Sequence, residues 1–251
     1  MTPPRYEVIG IVGLPEIRKG DDLGRLMVEA AASQGTALRD GDLLVVSQKI
    51  VSTSEGRVVR LADVTPSPAA LAMARELAKD ARLVELILRE SRRVVRMDKG
   101  ILIVETHHGW ICANGGVDQS NVDLDAASLL PEDSDRSART LRERIRGLTG
   151  VDAAVIMSDT FGRPWREGLT NVAIGIAGLT PIKNYLGAQD PAGHTLQATL
   201  LAVADELAGA AEPVMGKLNR VPVTIIRGLP FERGEDTSKP LLRDPSRDLF
   251  R

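Results

Sequence analysis

The chain has 251 residues, with 32 basic and 34 acidic side chains and a formal net charge of −2. Apolar residues make up 43% and charged residues 26%, which are ordinary globular values, so disordered, collagen-like and coiled-coil chains are excluded. Nucleic acid is not expected as a partner, because the charge is near neutral and only seven residues are aromatic. The length suits one large domain, and we take residues 1–251 as that domain.

The single cysteine, Cys112, cannot form an internal disulfide, which suits a reducing compartment. No apolar run approaches the roughly 18 residues of a membrane helix, and the first eight residues lack the apolar core of a signal peptide. The sequence therefore predicts a cytoplasmic protein without a membrane partner.

In the first half of the chain, apolar runs alternate with helical patterns. Residues 7–12 read as a strand, apolar residues recur at helical spacing from Leu23, and Leu43–Ser47 reads as a fully buried strand. Helices are predicted over residues 69–79 and 82–91. Three short apolar runs then follow between residues 94 and 113, with glycines between them, and they predict an antiparallel meander.

The second half continues the alternation. A helix is predicted over residues 134–148, with its arginines on a solvated face, and a strand over residues 153–157. A further helix with Leu196, Leu200, Val203 and Leu207 on one side precedes a last strand over residues 221–227. The fold class is therefore mixed α/β (α+β), with two intimately connected parts.

Several common catalytic motifs are absent. The chain has no G-x-S-x-G elbow, no H-E-x-x-H pair and no G-x-G-x-x-G after a strand. Gly216-Lys217 resembles the end of a Walker A loop, but Ala211 stands at its first position and Leu218 replaces the Ser or Thr that binds Mg²⁺. A nucleotide would therefore have to bind by another route.

Two segments combine residue types that carry chemistry. Residues 113–121 (ANGGVDQSN) place two glycines before Asp118, so backbone N–H groups and hard oxygen ligands come together. A glycine turn followed by an Asx turn explains the same residues. Residues 158–168 (SDTFGRPWREG) follow an apolar strand and join Asp159 and Thr160 to Arg163 and Arg166. The alternative there is a polar loop with an internal Asp–Arg pair.

Asp118 and Asp159, brought from separate loops, would make a Mg²⁺ site, because hard cations prefer oxygen ligands. Arginines beside it would hold phosphates. Two further segments, residues 13–17 and 47–49, also follow predicted strands, although each alone is typical of an ordinary turn.

Taken together, these segments resemble the coenzyme F420-0:L-glutamate ligase family (the F420 gamma-glutamyl ligases). The resemblance spans nearly the whole chain. Its stretches, in chain order, are GLPEIRKGDDL from Gly13, VVSQKIVSTSEGR from Val45, ANGGVDQSN from Ala113, SDTFGRPWREG from Ser158 and MGKLNRVPVTIIRGL from Met215.

The resemblance implies a GTP-dependent amide ligase with a two-part α/β fold that forms homodimers. GTP would phosphorylate the terminal carboxylate of coenzyme F420-0, and the amino group of L-glutamate would attack the resulting acyl phosphate. Further glutamates would follow through gamma linkages. Mg²⁺ or Mn²⁺ would serve as the cofactor.

The resemblance also implies roles for individual residues. Asp118, Asp159 and Thr160 would be metal ligands, and the catalytic group would be Asp118, Asp159 and Arg166. Arg163, Arg166 and Lys183 are candidates to hold the anionic phosphodiester of the acceptor. The GTP contacts would be Leu14, Pro15, Glu16, Ile17, Gln48, Lys49, Asn121, Gly216 and Lys217.

Two positions depart from many relatives. Thr53 stands where they carry a lysine, and Lys217 stands where archaeal members often place an oxygen ligand, although the bacterial form of the family has Gly-Lys-Leu there as well. Lys49 or Lys217 would then supply the positive charge. Two other functions stay open: a non-catalytic deazaflavin-binding or nucleotide-binding module, and a related ATP-dependent amide ligase acting on another acid.

Overall fold

The structure is a computed structural model that describes residues 3–120, 123–235 and 237–248. None of the helices in these ranges has the length and hydropathy needed to span a bilayer. Six α-helices lie in these ranges: α1 (Leu23–Ser33), α2 (Gln48–Ser54), α3 (Pro68–Leu77), α4 (Ala81–Arg89), α5 (Ser134–Thr149) and α6 (Val203–Met215). The strands are β1 (Glu7–Gly10), β2 (Leu43–Ser47), β3 (Val58–Arg60), β4 (Ser91–Asp98), β5 (Ile101–Thr106), β6 (Ile111–Ala113), β7 (Ala126–Ser128), β8 (Ala154–Arg163), β9 (Arg166–Ala177), β10 (Lys183–Asn184), β11 (Leu200–Leu201) and β12 (Val223–Arg227).

A five-stranded mixed sheet with the order β1-β12-β2-β8-β9 forms the centre of the molecule. β2 and β8 are parallel, with Ser47 opposite Ser158, and β12 is antiparallel to both of its neighbours. β1, β2 and β8 therefore point in the same direction, and their carboxyl ends lie at one edge. The loops that follow these strands therefore lie at the same edge.

Both faces of this sheet are covered, which explains the unbroken apolar run of β2. Leu44 and Val46 pack into a cluster with residues of α1 and α5, whereas Leu43 and Val45 pack against α6 on the other face. Successive side chains of a strand point to opposite faces, so a strand buried on both sides needs apolar residues at every position. The predicted full burial of Leu43–Ser47 is thus confirmed for its four apolar residues.

The chain between β2 and β8 forms a second part with its own core. β4, β5 and β6 make the predicted antiparallel meander, and α3 and α4 contribute Leu77, Val84 and Ile87 to a cluster with Leu102 and Val104 of β5. β6 lies against β8, so the segment that begins after Ala113 is brought to the carboxyl end of β8. The mixed fold with two connected parts is confirmed.

The helix predicted from Leu196 is wrong in its first half. α6 begins only at Val203, and Leu200 and Leu201 pair instead with β10, where 49% and 38% of their surfaces are exposed. Leu196 and Leu200 are therefore not part of a buried face of a helix, although their spacing is helical. Strand pairing with β10 provides the backbone hydrogen bonds of Leu200 and Leu201. The spacing of apolar residues alone does not distinguish this pairing from a helix.

The sequence predicts that the arginines of α5 lie on a solvated face, and this is wrong for Arg142. The Arg142 guanidinium lies 2.8 Å from Asp152 and 2.9 Å from Glu235, and its Nε donates to the carbonyl of Ala153. Arg142 therefore ties α5 to the start of β8 and to the C-terminal segment.

Candidate active site

Four predicted segments meet at the carboxyl edge of the central sheet. The loop after β1, the start of α2 after β2 and the second half of β8 lie there because their strands are parallel. Gly216 and Lys217 lie there as well, since they join α6 to the amino end of the antiparallel strand β12. Ligands of open α/β sheets bind at the carboxyl ends of parallel strands.

Asp118 is held by its backbone and by its side chain. Its N–H donates to the Ser128 carbonyl, and it accepts in return from the Ser128 N–H at 2.8 Å. Its carboxylate accepts from the N–H and the hydroxyl of Ser120, both at 2.8 Å, which is the predicted Asx turn. The Asx-turn alternative is thus confirmed, and it leaves the carboxylate facing Lys49.

Lys49, at the start of α2, contacts the segment that carries Asp118. Its Nζ lies 2.6 Å from Asp118 Oδ2 and also hydrogen-bonds the Ser120 hydroxyl. Burial would raise the pKa of Asp118, but the hydrogen bonds from Lys49 and Ser120 and the Lys49 charge outweigh it and hold the pKa below its usual value. Asp118 is therefore ionised at neutral pH.

Asp159 lies beside this pair, near the point where β8 leaves the covered part of the sheet. Burial raises the pKa of Asp159 to about 6, and the charge of Asp118 adds to the rise, while the Thr160 N–H and Lys49 oppose it. Asp118 and Lys49 both act on Asp159 through their charges, so this ion pair lies near Asp159. The joint role of Asp118 and Asp159 in a metal site stays a prediction, and no Asp159–Arg ion pair occurs among the described residues.

The residues present fit a hard divalent cation. Two carboxylates compete for one lysine, and such an excess of negative charge favours Mg²⁺ or Mn²⁺. Within the described ranges no group of three or more His, Cys, Asp or Glu side chains could hold a metal, so Asp118 and Asp159 would need the Thr160 hydroxyl, substrate oxygens or water to complete the shell. The buried Gln48 side chain lies beside Asp159 and acts to lower the pKa of that carboxyl.

Thr160 belongs to a closed ring of hydrogen bonds that the sequence did not reveal. Its hydroxyl donates to Asn171 Oδ1 at 2.7 Å, and Asn171 Nδ2 donates to Glu212 Oε2 at 2.8 Å. Lys217 Nζ completes the ring, 2.6 Å from Thr160 Oγ1 and 3.3 Å from Glu212 Oε1. The one sequence signal for Glu212 is its place near the end of the predicted helix, five residues before Lys217.

The loop after β1 borders a groove. Val12, Gly13 and Pro15 form one wall and Leu26 and Ala30 of α1 the other, and the groove has a volume of about 370 Å³. Gln34 fixes the loop, because its Oε1 accepts from the Val12 N–H at 2.8 Å and its Nε2 donates to the Gly10 carbonyl. Of the predicted GTP contacts, Pro15 therefore lines this groove, and Leu14 and Ile17 pack against the core next to it.

Two predicted positions, Arg166 and Lys183, lie outside this cluster of contacts. Arg166 begins β9 opposite Arg163, four residues beyond Asp159 along the hairpin, or roughly 13 Å at 3.3 Å per residue. Lys183 lies with its Nζ 4.9 Å from the ring of Tyr185. Asn121 lies outside the described residues.

Cys112 is next to the centre without being a nucleophile. Burial raises the pKa of its thiol to about 12, and the charge of Asp159 adds to the effect. The side chain therefore stays a neutral thiol at physiological pH, and covalent catalysis through it is not supported.

The sheet edge brings together the carboxylates of Asp118 and Asp159, the Lys49 ammonium beside Asp118 and hydroxyl groups, which are the kinds of group that a cation-assisted enzyme acting on an anionic substrate needs. The family model for F420-0:gamma-glutamyl ligase matches residues 11–228, and the chain belongs to that family. All four segments of the site lie within the matched range.

Similar proteins extend over nearly the whole chain. A protein of Methanothermobacter thermautotrophicus named coenzyme F420:L-glutamate ligase is 45% identical over 97% of this chain and 98% of its own length. Proteins of the same name from Methanopyrus kandleri and Methanocaldococcus jannaschii are 44% and 37% identical, covering 94% and 98% of this chain and 94% and 97% of their own lengths.

Proposed function

We propose that this protein is a GTP-dependent ligase that adds L-glutamate to coenzyme F420-0 in coenzyme F420 biosynthesis. Family membership and the names of relatives that match end to end support the substrates. The observation that carries the chemistry is the ion pair of Asp118 with Lys49, which lies near the buried Asp159 from a separate part of the chain.

The first proposed step transfers the γ-phosphoryl group of GTP to the terminal carboxylate of the acceptor, which gives an acyl phosphate and GDP. Mg²⁺ or Mn²⁺ held by Asp118, Asp159 and Thr160 would neutralise charge on the phosphate oxygens. Lys49 and Lys217 bring positive charge to the same edge from α2 and from the end of α6. Their side chains orient the polyphosphate and stabilise the charge that develops during transfer.

In the second proposed step the glutamate amino group attacks the acyl carbon and inorganic phosphate leaves. The bond made is the amide C–N bond and the bond broken is the acyl C–O bond, so one GTP is converted to GDP and phosphate for each glutamate added. The proposal needs no covalent cysteine intermediate, and the pKa of the Cys112 thiol, raised to about 12 by burial, agrees with this. The amine attacks the acyl phosphate directly.

The groove beside the loop after β1 is our candidate for the nucleoside of GTP. β1 and β8 are three strand spacings apart, or about 14 Å, which an extended nucleoside triphosphate can bridge. The base would lie between Pro15 and α1, and the γ-phosphate would lie at Asp159.

Mass spectrometry of the acceptor after incubation with Mn²⁺ and L-glutamate tests the proposal. With GTP we expect a mass gain of one glutamyl unit and release of one phosphate, and with ATP no gain. A gain with ATP alone would favour the related ATP-dependent ligase. Acceptor or nucleotide binding with no mass change would favour the non-catalytic module.

We also propose that the protein forms a homodimer. The hairpin of β8 and β9 extends beyond the sheet and exposes 78% of Trp165 and 68% of Leu169, and the β11 strand exposes Leu200 and Leu201. Exposed apolar patches of this kind mark contact surfaces. Light scattering coupled to size-exclusion chromatography should give twice the chain mass of 27.0 kDa, and a Trp165→Glu variant should elute as a monomer.

A further inference from the structure

The ring formed by Thr160, Asn171, Glu212 and Lys217 joins two elements that the proposed reaction needs. Thr160 lies on β8 beside Asp159, whereas Lys217 lies in the connection after α6. The contacts within the ring range from 2.6 to 3.3 Å. The Thr160 hydroxyl and the Lys217 ammonium are therefore held next to each other by residues of three elements, β8, β9 and α6.

The direction of each hydrogen bond follows from its partners. The Asn171 Nδ2 must donate to the Glu212 carboxylate, so its Oδ1 is the acceptor, and Thr160 must donate to it. The Thr160 oxygen then accepts from the Lys217 ammonium, which has no acceptor capacity, and one of its two lone pairs stays available. Asn171 is 4% exposed, so the buried end of the ring is rigid.

Lys217 is the most exposed member of the ring, and its long side chain gains most from such support. Its side chain is 60% exposed, and a free lysine loses much rotamer entropy when it is held in one geometry. An ion pair this exposed contributes little to stability, so the Glu212–Lys217 contact is not explained as a folding device. Fixing an ammonium at a site edge does, however, lower the entropic cost of binding an anion.

We infer that Glu212 is a positioning residue that holds the Lys217 ammonium against the Thr160 hydroxyl, so that Lys217 presents a fixed positive charge to the polyphosphate of the nucleotide. This inference rests on the proposed function, because GTP supplies the polyphosphate. Glu212 acts through Lys217 and does not touch the nucleotide. Asn171 keeps the Glu212 carboxylate in place from the buried side.

A double-mutant cycle with Glu212→Gln and Lys217→Met tests the inference through binding rather than turnover. Calorimetry gives the Kd of GTP and of inorganic tripolyphosphate, with and without Mg²⁺, and thermal unfolding confirms that each variant folds. We expect each single variant to raise the Kd of both ligands about tenfold, which corresponds to about 1.4 kcal/mol of binding free energy. The double variant should bind about as weakly as Lys217→Met alone, because the two residues act as one unit.

Glu206→Gln, an exposed carboxylate on the first turn of the same helix, is the matched control and should leave both Kd values unchanged. An unchanged Kd for tripolyphosphate and GTP in Glu212→Gln, or additive losses in the double variant, would overturn the positioning role. Wild-type protein that binds tripolyphosphate with this coupling but prefers ATP to GTP would instead contradict the proposed GTP dependence and leave the role of Glu212 standing.

Discussion

The Lys49 ammonium lies 2.6 Å from the Asp118 carboxylate, although Lys49 follows a strand of the central sheet and Asp118 follows the meander of the second part. The ion pair therefore spans the two parts of the fold. The charges of both partners also act on Asp159. One lysine balances two carboxylates, and this imbalance underlies the first two predictions.

Asp159→Asn should abolish turnover and preserve the fold. The amide is close in size to the carboxylate but carries no negative charge, so the site loses a metal ligand and retains its packing. We expect kcat to fall by about 10³-fold or more and the melting temperature to stay within a few degrees of wild type. Glutamate incorporation measured beside a thermal melt checks both parts.

The control for Asp159→Asn is Asp98→Asn, a change of the same chemistry at an exposed carboxylate on β4. It should leave turnover at the wild-type rate. Near-normal turnover in Asp159→Asn would contradict the assignment of Asp159 to the metal.

Lys49→Met should lower the unfolding free energy of the metal-free protein more than that of the metal-bound protein. Without the ammonium, Asp118 and Asp159 repel each other unless a cation replaces it. Because Lys49 and Asp118 are partly exposed, we expect a loss of about 1 kcal/mol in unfolding free energy in EDTA. Saturating Mn²⁺ should remove most of this difference. Urea titrations of both proteins in both buffers measure it.

Lys99→Met, at an exposed lysine outside the site, serves as the reference for Lys49→Met. Its unfolding free energy should respond to Mn²⁺ as wild type does. If Mn²⁺ stabilises Lys49→Met and wild type equally, the lysine and the metal do not serve the same pair of carboxylates.

Arg166→Ala should weaken binding of the acceptor and leave binding of GTP unchanged. Arg166 lies roughly 13 Å beyond Asp159 along the hairpin, too far for the transferred phosphoryl group but suited to a phosphodiester on the far side of the acceptor. We expect the KM of coenzyme F420-0 to rise about tenfold, with the KM of GTP unchanged. Arg75→Ala on α3 is the control. Unchanged kinetics for the acceptor would remove Arg166 from its binding site.

The convergence of the site could be predicted from the sequence because it depends on local signals. Apolar runs predict strands, parallel strands share an edge, and the polar residues that follow them, such as Gln48, Lys49 and Asp159, therefore meet. Nothing in those runs gives the order β1-β12-β2-β8-β9 or the position of the second part. Asp118 lies near these residues because β6 contacts β8. This contact joins residues far apart in the chain, so local patterns do not predict it.

The ring around Thr160 could not be predicted for a related reason. Asn171 faces Thr160 only because β8 and β9 pair in one register, and that register includes a shift between Met157 and Ser158. Glu212 meets Asn171 only because α6 packs on β9. Sequence spacing contains neither fact. The resemblance supplied candidate ligands, but the residues that support them became visible only in three dimensions.

Glu85 should make the stability of the second part sensitive to acid. This carboxylate lies on α4, accepts from the Ser67 N–H at 2.9 Å and pairs with Arg89 at 2.8 Å. The hydrogen bonds from Ser67, then that from Arg89, lower the pKa of Glu85 to about 2 from its ordinary 4.5. A depressed carboxyl pKa stabilises the folded state above the unfolded pKa and loses that effect as the pH falls through the folded pKa.

The sign of the effect sets the experiment, in which Glu85→Gln is compared with wild type by urea unfolding at several pH values. Wild type should exceed the variant by about 1 kcal/mol at pH 7, because the Arg89 partner is half-exposed and its charge is screened, and this margin should shrink steadily below pH 4.5 and vanish below pH 2. Glu76→Gln, at an exposed position on α3, should show no such pH-dependent margin. A margin for Glu85→Gln that stayed constant between pH 7 and pH 3 would mean that the Ser67 and Arg89 contacts do not distinguish the charged carboxylate from the neutral one.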